Sequence, residues 1–150
     1  MTRPDQLKPR EDSVPGTPFA EFTVGRQLDP LRFVITPEIV SEYIDAVDGD
    51  RSLYRLDGRT VAPPNVLLPY MTAILYRTYP PIQGIIMIEI DFHFRHPIWA
   101  DENTEIDVAG EITGKFEKKG RRYVDWRAEF RRHADNVLVT TMTNRFNVPS

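Results

Sequence analysis

Between Asn65 and Thr78 the chain carries Val66, Leu67, Leu68, Tyr70, Met71, Ala73, Ile74, Leu75 and Tyr76, apolar side chains that cover nearly every face of a helix. A helix that is apolar all round is either enclosed on all sides or crosses a bilayer. Crossing takes about 20 apolar residues, more than this segment holds. The segment is therefore expected to be a core helix, and the rest of the chain has to sleeve it. Pro69 is awkward inside it, because proline lacks a backbone donor and clashes with the preceding turn. Either the helix starts at Leu68 or its first turn is loose.

After Pro80-Pro81 the periodicity changes to two. Ile86, Ile88, Ile90, Phe92 and Phe94 alternate with Met87, Glu89, Asp91, His93 and Arg95, giving a strand with one apolar face. Ile106, Val108 and Ile112 predict the next strand, with Gly110 as a bulge. Val124, Trp126, Ala128 and Phe130 predict another, and residues 137–146, rich in Val and Thr, predict the last. Lys118-Lys119-Gly120 and Ala134-Asp135-Asn136 supply the hairpin turns. An antiparallel meander following helices defines an α+β domain. With one helix apolar all round, it suggests a strongly curved sheet wrapped around that helix.

Upstream, Thr36 is a good N-cap, Pro37 suits the first helical position and Glu38 favours the positive end of the dipole. Ile39, Val40, Tyr43, Ile44 and Val47 then share one face, and Gly49 stands where a left-handed C-terminal cap is expected. Phe19 to Leu28 and Leu31 to Ile35 read as short extended pieces separated by Asp29-Pro30. Residues 1–18 hold four prolines and many charges, too little apolar surface to order themselves. They are expected to form a flexible arm, laid on a neighbouring subunit, ahead of a single domain over 19–150.

A net charge of −3 gives no general attraction to nucleic acid or to an anionic membrane. With no hydrophobic signal region, the chain is expected in the cytoplasm. The absence of cysteine excludes disulfides, thiolate catalysis and cysteine metal sites. The three histidines, His93, His96 and His133, have no metal-type or triad-type spacing, so no metal site is expected and a catalytic role for any of them is disfavoured.

Several segments, in order, resemble the MaoC-like (R)-specific enoyl-thioester hydratases and dehydratases. They are Thr36-Pro37-Glu38, Gly49-Asp50 followed by Leu53-Tyr54, Ala62-Pro63-Pro64 before the apolar helix, Phe92-x-Phe94-x-x-Pro97-x-x-Ala100-Asp101, and Glu117-Lys118-Lys119-Gly120-Arg121. The resemblance covers about residue 19 to the end and is strongest to the N-terminal dehydratase-like, acyl-binding subgroup. It implies a hotdog fold, a curved antiparallel sheet wrapped around the central helix, and at least a dimer, since two hotdogs commonly join edge to edge. In that family a Gly-Asp-x-Asn-Pro-x-His signature supplies an Asp/His acid/base pair, and a backbone N–H at the start of the central helix polarises the thioester carbonyl.

Here the signature is broken twice. Gly49 and Asp50 match, but the run is one residue short and Tyr54 stands in the His place; a phenol is a poor base at neutral pH. The expected His-Gly at the helix start is Pro64-Asn65, and Pro64 has no N–H to donate. Losing one general acid/base typically costs about a hundred- to ten-thousand-fold. Asp50 and Tyr54 remain the candidate catalytic residues of a degenerate motif. For Asp50 a polar helix-ending role is the preferred alternative, and for Tyr54 a half-buried loop anchor. Asn65 is either an N-cap or a contact of the thioester carbonyl. Tyr70 and Met71 are candidates to line an acyl tunnel, although core packing explains most of that helix. Arg51 and Arg55 are candidates for the phosphates of coenzyme A or of a carrier's phosphopantetheine, which suit Arg and Lys. Solvated turn charge is the plainer reading of Lys118 and Lys119.

The expected function is hydration or dehydration of an acyl thioester, with this chain as the catalytically degenerate, acyl-binding half of a composite site. A second hotdog chain carrying an intact Asp/His pair completes it. No cofactor is expected beyond the thioester substrate. The alternatives are a self-sufficient homodimeric enoyl-CoA hydratase using Asp50 with Tyr54 or a displaced His, and a non-catalytic acyl-thioester-binding protein. Thioesterase activity is weakest, because residues 65–78 contain no carboxylate.

Overall fold

The computed structural model describes residues 3–7 and 14–149. A helical turn α1 (Pro4–Leu7) leads to β1 (Leu31–Ile35), α2 (Pro37–Ala46), a small hairpin β2 (Arg55–Leu56) and β3 (Arg59–Thr60), and the central helix α3 (Leu68–Thr78). The strands β4 (Ile86–Phe94), β5 (Thr104–Lys118), β6 (Arg121–Arg132) and β7 (Leu138–Val148) follow. The main sheet is antiparallel with strand order β1-β5-β6-β7-β4, so β1 and β4 form its two margins.

The core lies where α3 meets the inner face of this sheet. Tyr70, Met71, Ala73 and Ile74 of α3 are all at most 1% exposed, among Phe33, Ile106, Trp126 and Phe130. Tyr70 stacks on Phe33 with ring centroids 3.9 Å apart. Burial pushes the Tyr70 phenol up to about 12. Among the buried polar side chains of the inner face, Asn144 and Thr140 are satisfied across strands. Asn144 accepts from Trp126 Nε1 at 2.8 Å and donates to the Glu89 carbonyl at 2.7 Å, while Thr140 donates to the His93 carbonyl at 2.8 Å. These bonds tie β4 to β7 and β6 through side chains as well as backbone, which offsets the cost of burying the amide.

Local capping follows the sequence closely at α2 and differs at its end. Thr36 Oγ1 accepts from the Ile39 N–H at 3.2 Å, as expected. The left-handed residue is Asp48 (φ 51°), not Gly49. Asp48 N–H reaches the Asp45 carbonyl at 3.2 Å and Gly49 N–H reaches the Ile44 carbonyl at 2.8 Å, a Schellman closure shifted by one residue. Glycine at 49 answers a different need: a Cβ there would stand 3.2 Å from both Ile44 Cγ2 and the Tyr54 hydroxyl. Gly110 likewise is not the bulge. It pairs regularly with Ala128, and a Cβ there would stand 2.8 Å from the Arg127 carbonyl; the register shift falls between Ile112 and Gly114.

A second bulge corrects the expected face at the start of β4, while Ile90, Phe92 and Phe94 share one face as expected. Met87 pairs with Phe146 and Glu89 with Arg145, leaving Ile88 unpaired. One extra residue reverses the side-chain alternation. Met87, Ile90, Phe92 and Phe94 therefore share the inner side with Phe146, Asn144, Met142 and Thr140 of β7, while Ile86 lies opposite Asn147 on the other side.

The central helix enters through a 3-10 turn at Pro64–Leu67, which accommodates Pro69 within its first α-helical turn. Asn65 lies inside that turn, exposed, so it is not the N-cap. At the N-terminus, Leu7 is buried and the Arg3 guanidinium pairs with the Glu42 carboxylate of α2. Residues 14–18 are also described, with Thr17 N–H bonded to the Pro80 carbonyl at 2.9 Å. The remainder of the expected arm, residues 1–2 and 8–13, lies outside the described residues. Phe19–Glu21 forms a 3-10 turn where an extended piece was expected, while residues 25–28 lie along β5, with Gly25 N–H bonded to the Ile112 carbonyl, Leu28 N–H to the Gly110 carbonyl and Gln27 bridged to Glu111. Among the described residues no helix is long and apolar enough to cross a membrane.

Candidate functional site

An apolar cleft of about 350 Å³ opens where the segment between α2 and α3 faces the end of β4. Its walls come from Leu53, Tyr54 and Leu56, from Val61 through Pro64, from Leu67, from Phe94 through Ile98, and from Val139. Such a volume with few polar groups suits a small apolar ligand. Tyr54, Arg95 and His96 are the polar side chains on the lining.

The rim is built by the β2–β3 hairpin, whose turn residues Asp57 (φ 49°) and Gly58 (φ 77°) take the left-handed geometry of a type I′ turn. This hairpin is missing from the expectations above, although an Asp-Gly pair is the turn signal that specifies it. Backbone bonds then pin the rim: Val61 N–H to the Tyr54 carbonyl at 3.0 Å, Ala62 N–H to the Ile98 carbonyl at 2.8 Å, and Ala100 N–H to the Thr60 carbonyl at 2.9 Å. Arg59 adds a paired hydrogen bond to Asp101 (2.6 and 3.2 Å) and lies 4.1 Å over the Trp99 ring. The Arg59 hydrogen bond holds the Asp101 carboxyl below the usual range.

Asp50 stands outside the cleft lining. Its carboxylate caps the 3-10 turn Arg51–Leu53, accepting from Ser52 N–H at 2.9 Å and Ser52 Oγ at 2.7 Å. These two bonds from Ser52 lower its pKa. That direction is opposite to the one that poises a carboxyl for proton transfer near neutral pH. Tyr54, directly after this turn, is half-buried and does line the cleft. Burial, and then the neighbouring Tyr54 phenol, raise the pKa of Tyr43.

The other candidates are dispersed. Arg51 turns back to α2, donating to Ser41 Oγ at 3.1 Å and pairing with Asp45. Arg55 donates to the Gly58 carbonyl at 3.1 Å within its own hairpin. Asn65 is exposed, and Tyr70 and Met71 are enclosed in the core; none of the three lines the cleft, whereas Leu67 of the same segment does. The structure therefore brings Tyr54 to the cleft and leaves Asp50, Arg51, Arg55, Asn65, Tyr70 and Met71 elsewhere. Arg95 and His96 were not among the candidates. Their arrival depends on where β4 ends against β7, where Arg95 and His96 N–H groups both reach the Val139 carbonyl (2.8 and 3.2 Å). No local sequence signal encodes that junction.

The cleft opens beside uncovered apolar surface. Leu53 is 74% exposed, and Phe94, Met87, Ile88 and Ile86 along β4 are also exposed.

Neither a family model nor a curated protein sequence matches the chain. Solved structures do match it. An unliganded (R)-hydratase from Pseudomonas aeruginosa is 16% identical, with a TM-score of 0.68 over 90% of this chain and 87% of that one. A MaoC-like dehydratase from Rhodospirillum rubrum is 17% identical, with a TM-score of 0.69 over 89% and 97%. The HadBC (3R-hydroxyacyl-ACP dehydratase) complex from Mycobacterium tuberculosis matches at 18% identity, with a TM-score of 0.68 over 83% and 96%. The chain thus has the hotdog fold, in the form shared by MaoC-like dehydratases and (R)-hydratases.

Proposed function

We propose that this chain binds the acyl group of a thioester in the cleft and forms the acyl-binding half of a composite enoyl hydratase/3-hydroxyacyl dehydratase. The observation that carries this reading is the composition of the cleft. Its lining is apolar apart from Tyr54, Arg95 and His96, and the one carboxylate of the degenerate motif, Asp50, is held by Ser52 outside it. Moving a proton to or from the α,β bond of a thioester calls for a positioned acid/base pair, and stabilising the developing enolate calls for aimed donors. Pro63 and Pro64, which line the approach to α3, have no N–H to aim.

A second hotdog chain with a complete Asp/His pair supplies those groups in this reading. It docks along β4, where a free strand margin and exposed Ile86, Met87, Ile88 and Phe94 lie next to the cleft mouth. Such a margin templates pairing with another chain. The two-subunit HadBC complex shares the fold and supports the arrangement.

The purified chain is expected to bind an acyl-CoA by calorimetry and to hydrate trans-2-enoyl-CoA only when mixed with a hotdog partner bearing the intact pair. Robust hydration by the chain alone, abolished in Asp50→Ala, overturns the division of labour. Binding without turnover in every partner combination makes it a non-catalytic acyl-thioester-binding protein instead. The His96 side chain on the cleft favours one second reading, a self-sufficient homodimeric hydratase in which His96 acts with Tyr54. That reading demands activity of the chain alone, lost in His96→Ala and bell-shaped in pH.

A further inference from the structure

Around the apolar cleft the fold has already matched most of its arginines, and one it has not. Arg51 pairs with Asp45, and Arg59 is forked on Asp101. Arg55 is turned onto the Gly58 carbonyl. Arg95 stands on the lining itself, with neither an ion pair nor a side-chain hydrogen bond among the described residues. The His96 imidazole and the Tyr54 hydroxyl, also on the lining, have no hydrogen bond among those residues either. All three groups can donate, and no Asp or Glu among the described residues lines the cleft to receive them.

Consecutive residues of a strand point to opposite faces, so Phe94 and Arg95 would not ordinarily meet one cleft. Here β4 stops at Phe94, and the N–H groups of Arg95 and His96 both turn to the Val139 carbonyl. Pro97 then disfavours helical geometry at His96. Phe94 through Ile98 all line the cleft as a result, and a cation is set against its apolar wall. Arg95 and His96 lie past the end of β4, outside the apolar row proposed for a partner chain. Beside low-dielectric walls a guanidinium draws an opposite charge more strongly than it would in open water.

The lining therefore suits a guest that is apolar along its body and anionic at one end. The phosphates of a thioester carrier do not meet that description, because a whole pantetheine arm separates them from the sulfur. A cleft of about 350 Å³ is too small for acyl group, arm and phosphate together. An anion read from this lining belongs to the acyl group.

We propose that the cleft selects an acyl group bearing a carboxylate of its own, the monothioester of a short dicarboxylic acid, and that Arg95 reads the free carboxylate. The planar fork of Arg matches a carboxylate in a bidentate way. The apolar walls take the methylenes, and Tyr54 and His96 supply further donors. The inference rests on the acyl-thioester reading and names the acyl class within it.

The full chain is titrated by calorimetry with glutaryl-CoA and pentanoyl-CoA, which share head group and chain length and differ in the terminal carboxylate. Glutaryl-CoA is expected to bind about tenfold or more tightly, the range of a charge-assisted hydrogen bond. Arg95→Gln replaces an exposed side chain, and circular dichroism checks its fold. It is expected to bring the two thioesters to equal affinity. Arg95→Lys keeps the charge, loses the fork and is expected to retain part of the preference. Pentanoyl-CoA binding as tightly as glutaryl-CoA overturns the proposal, and so does a preference that survives Arg95→Gln. Equal loss of both thioesters in Arg95→Gln puts Arg95 on the shared head group and overturns it as well. In these three cases the parent chain still binds pentanoyl-CoA, and the acyl-thioester reading stands. Failure of the parent chain to bind either thioester is the separate result that removes that reading, and this inference with it.

Discussion

At one margin of the sheet, β1 is five residues long and turns Leu31, Phe33 and Ile35 into the core, each at most 5% exposed. Its outer side is fastened by Arg32, which donates to both carboxylate oxygens of Asp107 on β5, while His133 Nδ1 lies 2.7 Å from the same carboxylate. At the other margin, β4 runs nine residues and leaves Ile86, Met87, Ile88 and Phe94 between 43% and 58% exposed. Natural sheets blunt their margins with short strands, charges and bulges. The β1 margin follows that rule. The β4 margin keeps a bulge at Ile88 and Glu89, Asp91 and His93 along one side, but leaves Met87 and Phe94 on the inner side, Ile86 on the other and Ile88 at the bulge uncovered. One margin is completed within the chain, and the other leaves large apolar side chains uncovered, as the proposed pairing along β4 requires.

The contrast is broken most severely at the closed margin. Phe33→Ala removes a 1% exposed ring stacked on Tyr70 and is expected to destabilise the fold by about 3–5 kcal/mol, read from denaturant unfolding. Phe94→Ala, at 45% exposure, is expected to cost well under half of that in the same measurement. If the two losses were equal, the margins would not differ as described.

A charge on the open margin sharpens the comparison through association. Ile88→Asp is expected to abolish self- or partner association in sedimentation, while changing the unfolding free energy of the isolated chain by only about 0.5 kcal/mol, as for surface substitutions. A monomer that unfolds outright with Ile88→Asp, or a dimer that ignores it, contradicts an interface along β4.

The smallest effect lies in the ionic fastening of β1. The Arg32 hydrogen bond, and then the one with His133, hold the Asp107 carboxyl below its ordinary value. A depressed carboxyl contributes stability that is fully present above its unfolded pKa, about 3.9, and is lost as pH falls through the lower folded value. Because the pair is largely exposed, solvent screens it and the contribution is small. Asp107→Asn is expected to flatten the acid limb of stability below about pH 4 and to leave neutral stability nearly unchanged.

What the sequence made legible tracks how local each determinant is. The cap at Thr36 and the two long hairpins rest on neighbours within a few positions and appear as expected, whereas the enclosure of residues 65–78 is partial, with Asn65, Leu68, Pro69 and Arg77 exposed. The face of β4 appears as expected from Ile90 to Phe94 but not at Ile86 and Ile88, because the extra residue at Ile88 is set by pairing with β7, far along the chain. Gly49 and Gly110 were assigned conformational roles, whereas their need is steric, dictated by Tyr54 in one case and by the neighbouring strand in the other. The cleft is less legible still, since its walls come from segments spread from Leu53 to Val139. Tyr54 was found through the broken motif. His96 and Arg95 were passed over because a strand-ending turn gives no sign of what it will face. The Asp57-Gly58 turn is the exception: its signal was local and plain.

The strapping of the β2–β3 hairpin onto residues 98–101 has a kinetic consequence. Fixing one residue's backbone costs about 1–2 kcal/mol, and a rim that had to fold around an incoming guest would bear that at every encounter. Here three backbone hydrogen bonds and the Arg59–Asp101 fork have set the rim beforehand. For the proposed acyl guest, preorganisation of this kind would leave capture governed by diffusion and desolvation, with selectivity residing in how fast each guest leaves.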